Sequence, residues 1–237
     1  MIKRLSPITL FTPITLALLI ALPAALRAQK EPAATQPMAK PADAVMLFDG
    51  TPESLTKNWT NRKGKDPDWI VADGEMTSKK LDIVSKEKYQ DFQLHVEFCE
   101  PKLGPEVKGQ ERGNSGVYLQ GRYEIQVLDS YGLPPSKVDC GAIYDRKAPD
   151  VNACLPPGEW QTYDITFKAA RFDADGKKTA NARVTIYQNG KKIQDDAEIA
   201  GTTGDALSKE SAKPGPVRLQ YHGNSVKFRN VWIVPGK

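Results

Sequence analysis

The residues best placed for chemistry cluster in Glu111–Ser130. Tyr123-Glu124-Ile125-Gln126-Val127 alternates apolar and polar side chains. In a strand, alternate residues share a face, with same-face neighbours roughly 6.5–7 Å apart. Tyr123, Ile125 and Val127 then seek a core, and Arg122, Glu124 and Gln126 face the other way. A carboxyl group beside a carboxamide can move a proton and hold a hydroxyl, as the floor of a sugar site must. The plain alternative is a solvated sheet surface. Val117–Gln120 precedes this run, and Gly121-Arg122 between the two reads as a tight hairpin turn.

Asn114 and Ser115, set between Gly113 and Gly116, can bind sugar hydroxyls; Asn and Ser equally often bond the backbone of a turn. Tyr118 and Trp160 offer aromatic planes to a sugar ring, or are ordinary core rings. Phe92–Phe98 also alternates, placing Gln93, His95 and Glu97 opposite Phe92, Leu94, Val96 and Phe98. If this strand borders the hairpin, Glu97 and Glu124 form a carboxylate pair, with one pKa raised toward neutrality. Otherwise His95 and Glu97 are solvated. His222, after Gln220 and before Gly223-Asn224, is a natural acid, base or ligand, although a lone histidine is commonly structural. Arg229 can neutralise an enolate or pair with an acid. Asp129, at the exit of the strand, either turns toward the site or caps a turn.

The elements that must position these residues are short strands. Val45–Phe48, Trp69–Val71, Glu75–Thr77, Leu81–Val84, Trp160–Phe167, Ala182–Gln188, Lys191–Gln194, Val217–His222 and Val226–Val234 have strand character. Asp73-Gly74 and Asn189-Gly190 are hairpin turn signals. Trp59 falls in a polar loop, and Ser130–Glu159 reads as one long irregular connection whose aromatic and cysteine content predicts order. No stretch sustains a helical period. The pattern predicts an all-β antiparallel sandwich or jelly roll.

Met1–Ala28 has the form of a cleaved secretory signal: Lys3 and Arg4, an apolar run from Leu5 to Leu26, then Arg27-Ala28; the rival reading is an uncleaved anchor, since the run is near bilayer-spanning length, with Pro7, Pro13 and Pro23 arguing against it. Gln29–Asp43 reads as a flexible linker, and 44–237 as the folded domain. Removing the signal takes Lys3, Arg4 and Arg27 from 33 basic residues and nothing from 29 acidic ones, lowering the formal charge from +4 to +1. That balance points away from nucleic acid. The expected residence is periplasmic or secreted, with no stable membrane insertion after cleavage. Of three cysteines, Cys140 and Cys154 could close a loop, leaving Cys99 alone; spacing does not prove the bridge. With no CxxC pair and two histidines, there is no zinc signature.

Six segments occur in order: Leu47-Phe48-Asp49-Gly50, Gly113–Tyr118, Tyr123–Ser130, Gly141-Ala142-Ile143-Tyr144, Trp160–Asp164 and Phe228–Ile233. Together they resemble the 3-keto-disaccharide hydrolase domain family, also described as 3-keto-glucoside 1,2-lyase and 3-keto-2-hydroxy-glucal hydratase domains, over about Val45–Val234. The resemblance implies a concanavalin A-like lectin/glucanase jelly roll with its site on the concave sheet. It also implies cleavage of 3-keto-glycosides, by elimination and hydration or net hydrolysis, downstream of a sugar 3-oxidoreductase. On that basis Glu124, Glu97 and His222 are the expected catalytic residues. Asn114, Ser115, Tyr118, Gln126, Trp160 and Arg229 are expected to bind substrate. One divalent metal ion could serve as the electrophile on the keto oxygen; the residues leave this open. The rival function is a non-catalytic lectin-like module. A classical two-carboxylate glycosidase is the more distant reading, because the glucanase pattern Glu-x-Asp-x-x-Glu is absent: Gln126 and Asp129 follow Glu124 instead.

Overall fold

The computed structural model describes residues 38–236. The expected signal and the first part of the expected linker lie outside the described residues. In chain order the elements are β1 (Val45–Phe48), α1 (Pro52–Asn58), β2 (Trp59–Asn61), β3 (Ile70–Ala72), β4 (Glu75–Thr77), β5 (Ile83–Ser85) and β6 (Phe92–Cys99). They continue with β7 (Ser115–Leu119), β8 (Tyr123–Val127), β9 (Gln161–Lys168), β10 (Arg171–Phe172), β11 (Lys178–Ala180) and β12 (Ala182–Gln188). The last are β13 (Lys191–Ile199), β14 (Arg218–Leu219) and β15 (Lys227–Pro235).

Two antiparallel sheets dominate. The larger runs β13-β12-β9-β6-β15-β4-β3, with β1 pairing with β15; the smaller runs β2-β5-β14-β7-β8. Each contributes one apolar face. Phe92, Leu94, Val96 and Phe98 of β6, with Tyr163, Ile165 and Phe167 of β9, meet Val117, Leu119, Tyr123, Ile125 and Val127 of the β7–β8 hairpin. Tyr123 and Phe167 approach across the sheets with ring centroids 5.5 Å apart. The Tyr163 hydroxyl donates to the Gln126 carbonyl at 2.6 Å, a direct bond between sheets. Each such side chain contributes about 1.5–3 kcal/mol by burial. This is the expected all-β jelly-roll sandwich.

Local departures from expectation have physical causes. The hairpin loop is Gln120-Gly121-Arg122, since Leu119 pairs with Tyr123. Gln120 and Gly121 both take positive φ, 53° and 63°, which sets the turn one residue earlier than the Gly-Arg dipeptide alone implies. Pro52–Asn58 is helical rather than loop. Thr51 caps it by accepting from the Ser54 N–H at 3.1 Å, and Pro52 fits its first turn. Trp59, expected in a polar loop, is fully buried and donates its indole N–H to the Leu47 carbonyl at 2.8 Å.

The described end of the expected linker is docked, with the Met38 N–H donating to Asp164 at 3.1 Å. The long connection after β8 is ordered because part of it behaves as an added strand. The Gly141 N–H donates to Gln126, the Tyr144 N–H to Glu124, and the Gln126 N–H to the Ala142 carbonyl, all at 3.0–3.1 Å. Nearby, Cys140 and Cys154 are free thiols. They share the Gln188 amide nitrogen, at 3.5 and 3.4 Å.

Candidate active site

The outward face of the smaller sheet holds the site. In β8 the alternation sends Tyr123, Ile125 and Val127 inward and Glu124 and Gln126 outward; in β7 it sends Gly116 and Tyr118 outward. Register then aligns side chains across strands. Arg218 pairs with Tyr118, and Tyr118 with Glu124. In the next row Gln220 bonds the Gly116 carbonyl, and Gly116 lies opposite Gln126. Gly116 has a spatial reason. A Cβ there would sit 2.5 Å from Glu124 Oε1, so the missing side chain is the space the carboxyl group occupies.

This polar face is not solvated. The segment running through Gly141–Tyr144 covers the free edge of β8. The connection after β13 covers the rest, with the Glu124 N–H donating to the Thr203 hydroxyl at 2.9 Å. What remains is a cleft of about 150 Å³, room for one sugar ring. Its polar walls are Asn114, Tyr118, Glu124, Gln126, Gln220 and His222, joined by Tyr144 and Asp205. Glu124 is 4% exposed and Gln126 1%.

The electrostatics favour a carboxyl group poised near neutrality. Burial raises the Glu124 pKa from 4.5 to about 7, and the charges of Asp205 and Asp82 add to the rise; a Tyr118 hydrogen bond and Arg218 pull the other way. Arg218 does not hold Glu124 ionised, because its own charge is taken. It bonds Asp82 at 2.7 Å and also Asp205, and lies 4.1 Å above the Tyr118 ring. Burial and the neighbouring Glu124 charge raise the Tyr118 pKa, so this hydroxyl stays a donor. It accepts from the Gln220 amide at 3.3 Å and donates to the Gly204 carbonyl at 3.2 Å. The Gln126 amide, oriented with its nitrogen toward acceptors, donates to Glu124 Oε1 at 3.2 Å and to the Ser115 carbonyl at 3.0 Å. Gln220 Oε1 is buried and has no partner. An unpartnered buried acceptor is costly unless a ligand donor meets it.

The cleft therefore brings together Glu124, His222, Asn114, Tyr118 and Gln126. His222 is exposed at its mouth, on the loop beyond β14, which is shorter than Val217–His222. Ser115 lines β7 but turns inward, where its hydroxyl donates to the Gln220 carbonyl at 2.6 Å. It positions the site and does not face it. Asp129 also has a structural role, paired with Arg112.

Glu97, Arg229 and Trp160 lie elsewhere. Strand β6 belongs to the larger sheet, so Glu97 points away from the core on the opposite side of the sandwich. The expected Glu97–Glu124 pair does not form. Glu97 instead accepts from Arg229 at 2.6 Å and from Asn230 at 2.8 Å, with His95 at 3.7 Å. Burial alone would raise its pKa, but these partners outweigh it and hold the group down to about 2, ionised and unsuited to act as a base. Arg229 lies 4.0 Å over the Trp160 ring, occupying both. His95 bonds Asp164 at 2.6 Å and stacks on Trp232. Sequence reading missed Tyr144, Asp205 and Gln220 as site residues. Gln220 shares the parity of His222 and was accessible by alternation; Asp205 and Tyr144 arrive on irregular segments with no such signal.

Among the described residues no three His, Cys, Asp or Glu side chains converge as ligands. In the cleft, Asp205 is committed to Arg218, leaving Glu124 and His222.

Residues 43–234 match the model of the 3-keto-alpha-glucoside-1,2-lyase-like domain. The structure is similar to a crystal structure from Parabacteroides distasonis described as a "putative glycosyl hydrolase", with 38% identity and a TM-score of 0.74 over 86% of this chain and 92% of that one. A second crystal structure from the same organism, with the same description, is 22% identical with a TM-score of 0.60, over 82% and 94% of the two chains; it supports the fold alone. Comparison with curated proteins gave no match. The family match spans most of the chain and includes the whole cleft, so this protein belongs to the 3-keto-alpha-glucoside-1,2-lyase-like domain family.

Proposed function

We propose that this protein is a carbohydrate-active enzyme that cleaves the glycosidic bond of 3-keto-glycosides, with Glu124 as the base. The observation that carries the reading is a buried carboxyl group with no cation of its own and a pKa of about 7, in a cleft the size of one sugar ring. A ketone at C3 acidifies the hydrogen on C2. Glu124 takes that proton, and the C–H electron pair becomes the C2=C3 double bond of an enolate. The enolate collapses to the ketone, C1=C2 forms, and the C1–O bond breaks with its electrons on the leaving oxygen. Water then adds to C1 and a proton returns to C2. The net change is hydrolysis of one glycosidic bond.

The remaining residues fit supporting parts. Tyr118, beside Glu124, would turn its hydroxyl proton from the Gly204 carbonyl to a developing oxyanion. Asn114, Gln126 and the unpartnered Gln220 carbonyl suit ring hydroxyls. His222 at the mouth suits protonation of a departing alkoxide. On this reading a sugar 3-oxidoreductase supplies the substrate, and the composition of Met1–Ala28 supports export. No step here is routed through a metal.

The test is chromatographic. Purified protein receives a 3-keto-glucoside and its unoxidised parent, each with added divalent metal and with chelator, alongside Glu124→Gln. Cleavage of the keto substrate only, lost in the variant, is expected; sensitivity to chelator would add a metal. Calorimetric binding of intact sugars without turnover would replace this reading with a lectin-like module.

A further inference from the structure

A second cavity, of about 530 Å³, opens beside the hairpin turn, and its chemistry is unlike that of the cleft. It is lined by Arg122, Lys88, Lys209 and Lys213 and by no carboxylate. Arg122 is 4% exposed. Among the described residues no carboxylate pairs with it; its bonds go to neutral acceptors. Nε donates to the Ser208 hydroxyl at 3.1 Å, Nη1 to Gln120 Oε1 at 2.9 Å and the Lys213 carbonyl at 3.0 Å, and Nη2 to the Ser211 hydroxyl at 3.0 Å. A buried cation without a counter-charge is costly.

The acids adjacent in sequence to its lining do not relieve it. Glu210 turns to the Tyr123 hydroxyl at 2.7 Å and to Lys178 at 2.9 Å, and Glu87, beside Lys88 in sequence, does not line the cavity. The bonding pattern also fixes proton direction. Ser208 and Ser211 accept from Arg122, so their own hydroxyl protons remain to donate. Arg122 has five N–H groups and four are used, leaving one on Nη2. The cavity thus presents hydroxyl, guanidinium and ammonium donors together.

We propose that this cavity is a second ligand site that takes an oxyanion: the phosphate, sulfate or carboxylate of a charged saccharide. It adjoins the cleft. Arg122 lies two residues before Glu124, and the connection that brings Gly204 and Asp205 to the cleft brings Leu207–Pro216 to the cavity. The inference stands on the cavity's charge and donor pattern, independently of the chemistry assigned to Glu124.

Calorimetry at constant ionic strength tests it, with inorganic phosphate, inorganic sulfate, glucose 6-phosphate, glucuronate and neutral glucose as probes. The anions bind with one site per chain. Lys209→Gln/Lys213→Gln weakens them about tenfold or more, the scale of losing charge-assisted hydrogen bonds. Both lysines are exposed, and among the described residues neither ammonium group is paired, so the variant keeps its fold, checked by its unchanged melting in the absence of anions. Lys57→Gln/Lys63→Gln, with the same charge change at residues outside the cavity's lining, retains binding. Tighter binding of glucose 6-phosphate or glucuronate than of the inorganic ions identifies the saccharide as the source; equal binding identifies the free anion and overturns the saccharide assignment. No binding by any anion, or equal weakening in both lysine pairs, overturns the site itself.

Discussion

Glu124→Gln probes the feature on which the proposed chemistry depends, and it can be read without any substrate. The carboxyl pKa rises from 4.5 to about 7 on folding. The folded state therefore binds the proton more tightly than the unfolded state, so this group's effect on stability is unfavourable once it ionises. Stability falls as pH rises from 4.5 toward 7 and levels off above it. At about 1.4 kcal/mol per pKa unit, the full effect is about 3 kcal/mol. Glutamine is isosteric and neutral at every pH, so the variant escapes the penalty. Relative to wild type, it gains little below pH 4.5 and about 3 kcal/mol above pH 7. For a domain of this size that is about 6–12 °C in melting temperature. Thermal melts of both proteins at a series of pH values read the difference directly. A difference that stays flat across pH 4.5–8 would refute the reasoning, since Glu124 would then be hydrated or ion-paired. The same variant should lose about 10²–10⁴-fold in turnover, the scale of a removed general base.

Other perturbations separate the cleft from its surroundings. Gly116→Ala places a methyl group where Glu124 Oε1 lies, 2.5 Å away; displacing the carboxylate should cut kcat by about 10²-fold while circular dichroism stays native. Glu97→Gln should leave kcat/KM within about twofold, because the residue lies on the opposite sheet. It should lower stability by about 2 kcal/mol in urea melts at pH 7 through weakened charged hydrogen bonds to Arg229 and Asn230. The Glu97 pKa is depressed, so this difference should shrink as pH falls from 4.5 toward 2. Arg218→Met removes the buried partner of Asp82 and Asp205 and should destabilise by about 3–5 kcal/mol, measured by the same melts. If Glu124 is the base, kcat/KM for a keto substrate should rise with pH through an inflection near 7, and the inflection should vanish in Glu124→Gln.

Alternation made much of the scaffold legible. It separated Tyr123, Ile125 and Val127 from Glu124 and Gln126, and Phe92–Phe98 into two faces, because a two-residue period has a direct physical meaning. Asp73-Gly74 and Asn189-Gly190 marked hairpins that form as expected, with positive φ at all four residues. What alternation does not specify is which strands become neighbours. Glu97 and Glu124 have the same local pattern, yet pairing with β9 and β15 sends β6 to the other sheet. Nor does it reveal a roof. The outward face of β8 reads as solvated until Gly141–Tyr144 and Thr203 close over it, which turns an ordinary surface carboxylate into a buried one. The short helix, capped by Thr51 with Pro52 in its first turn, is too brief for an apolar period to register. Asp205 and Tyr144 reach the cleft through long-range hydrogen bonds that leave no trace in local composition.

The central claim is that bond cleavage begins with loss of the C2 proton to Glu124. It is tested most directly by cleaving a 3-keto-glucoside in D2O and locating deuterium in the released 3-keto sugar by NMR. The account predicts deuterium at C2 with the wild-type protein, beyond that in an enzyme-free control, and no such excess with Glu124→Gln. Rapid cleavage by the wild type with hydrogen wholly retained at C2 would contradict it and point to direct displacement at C1.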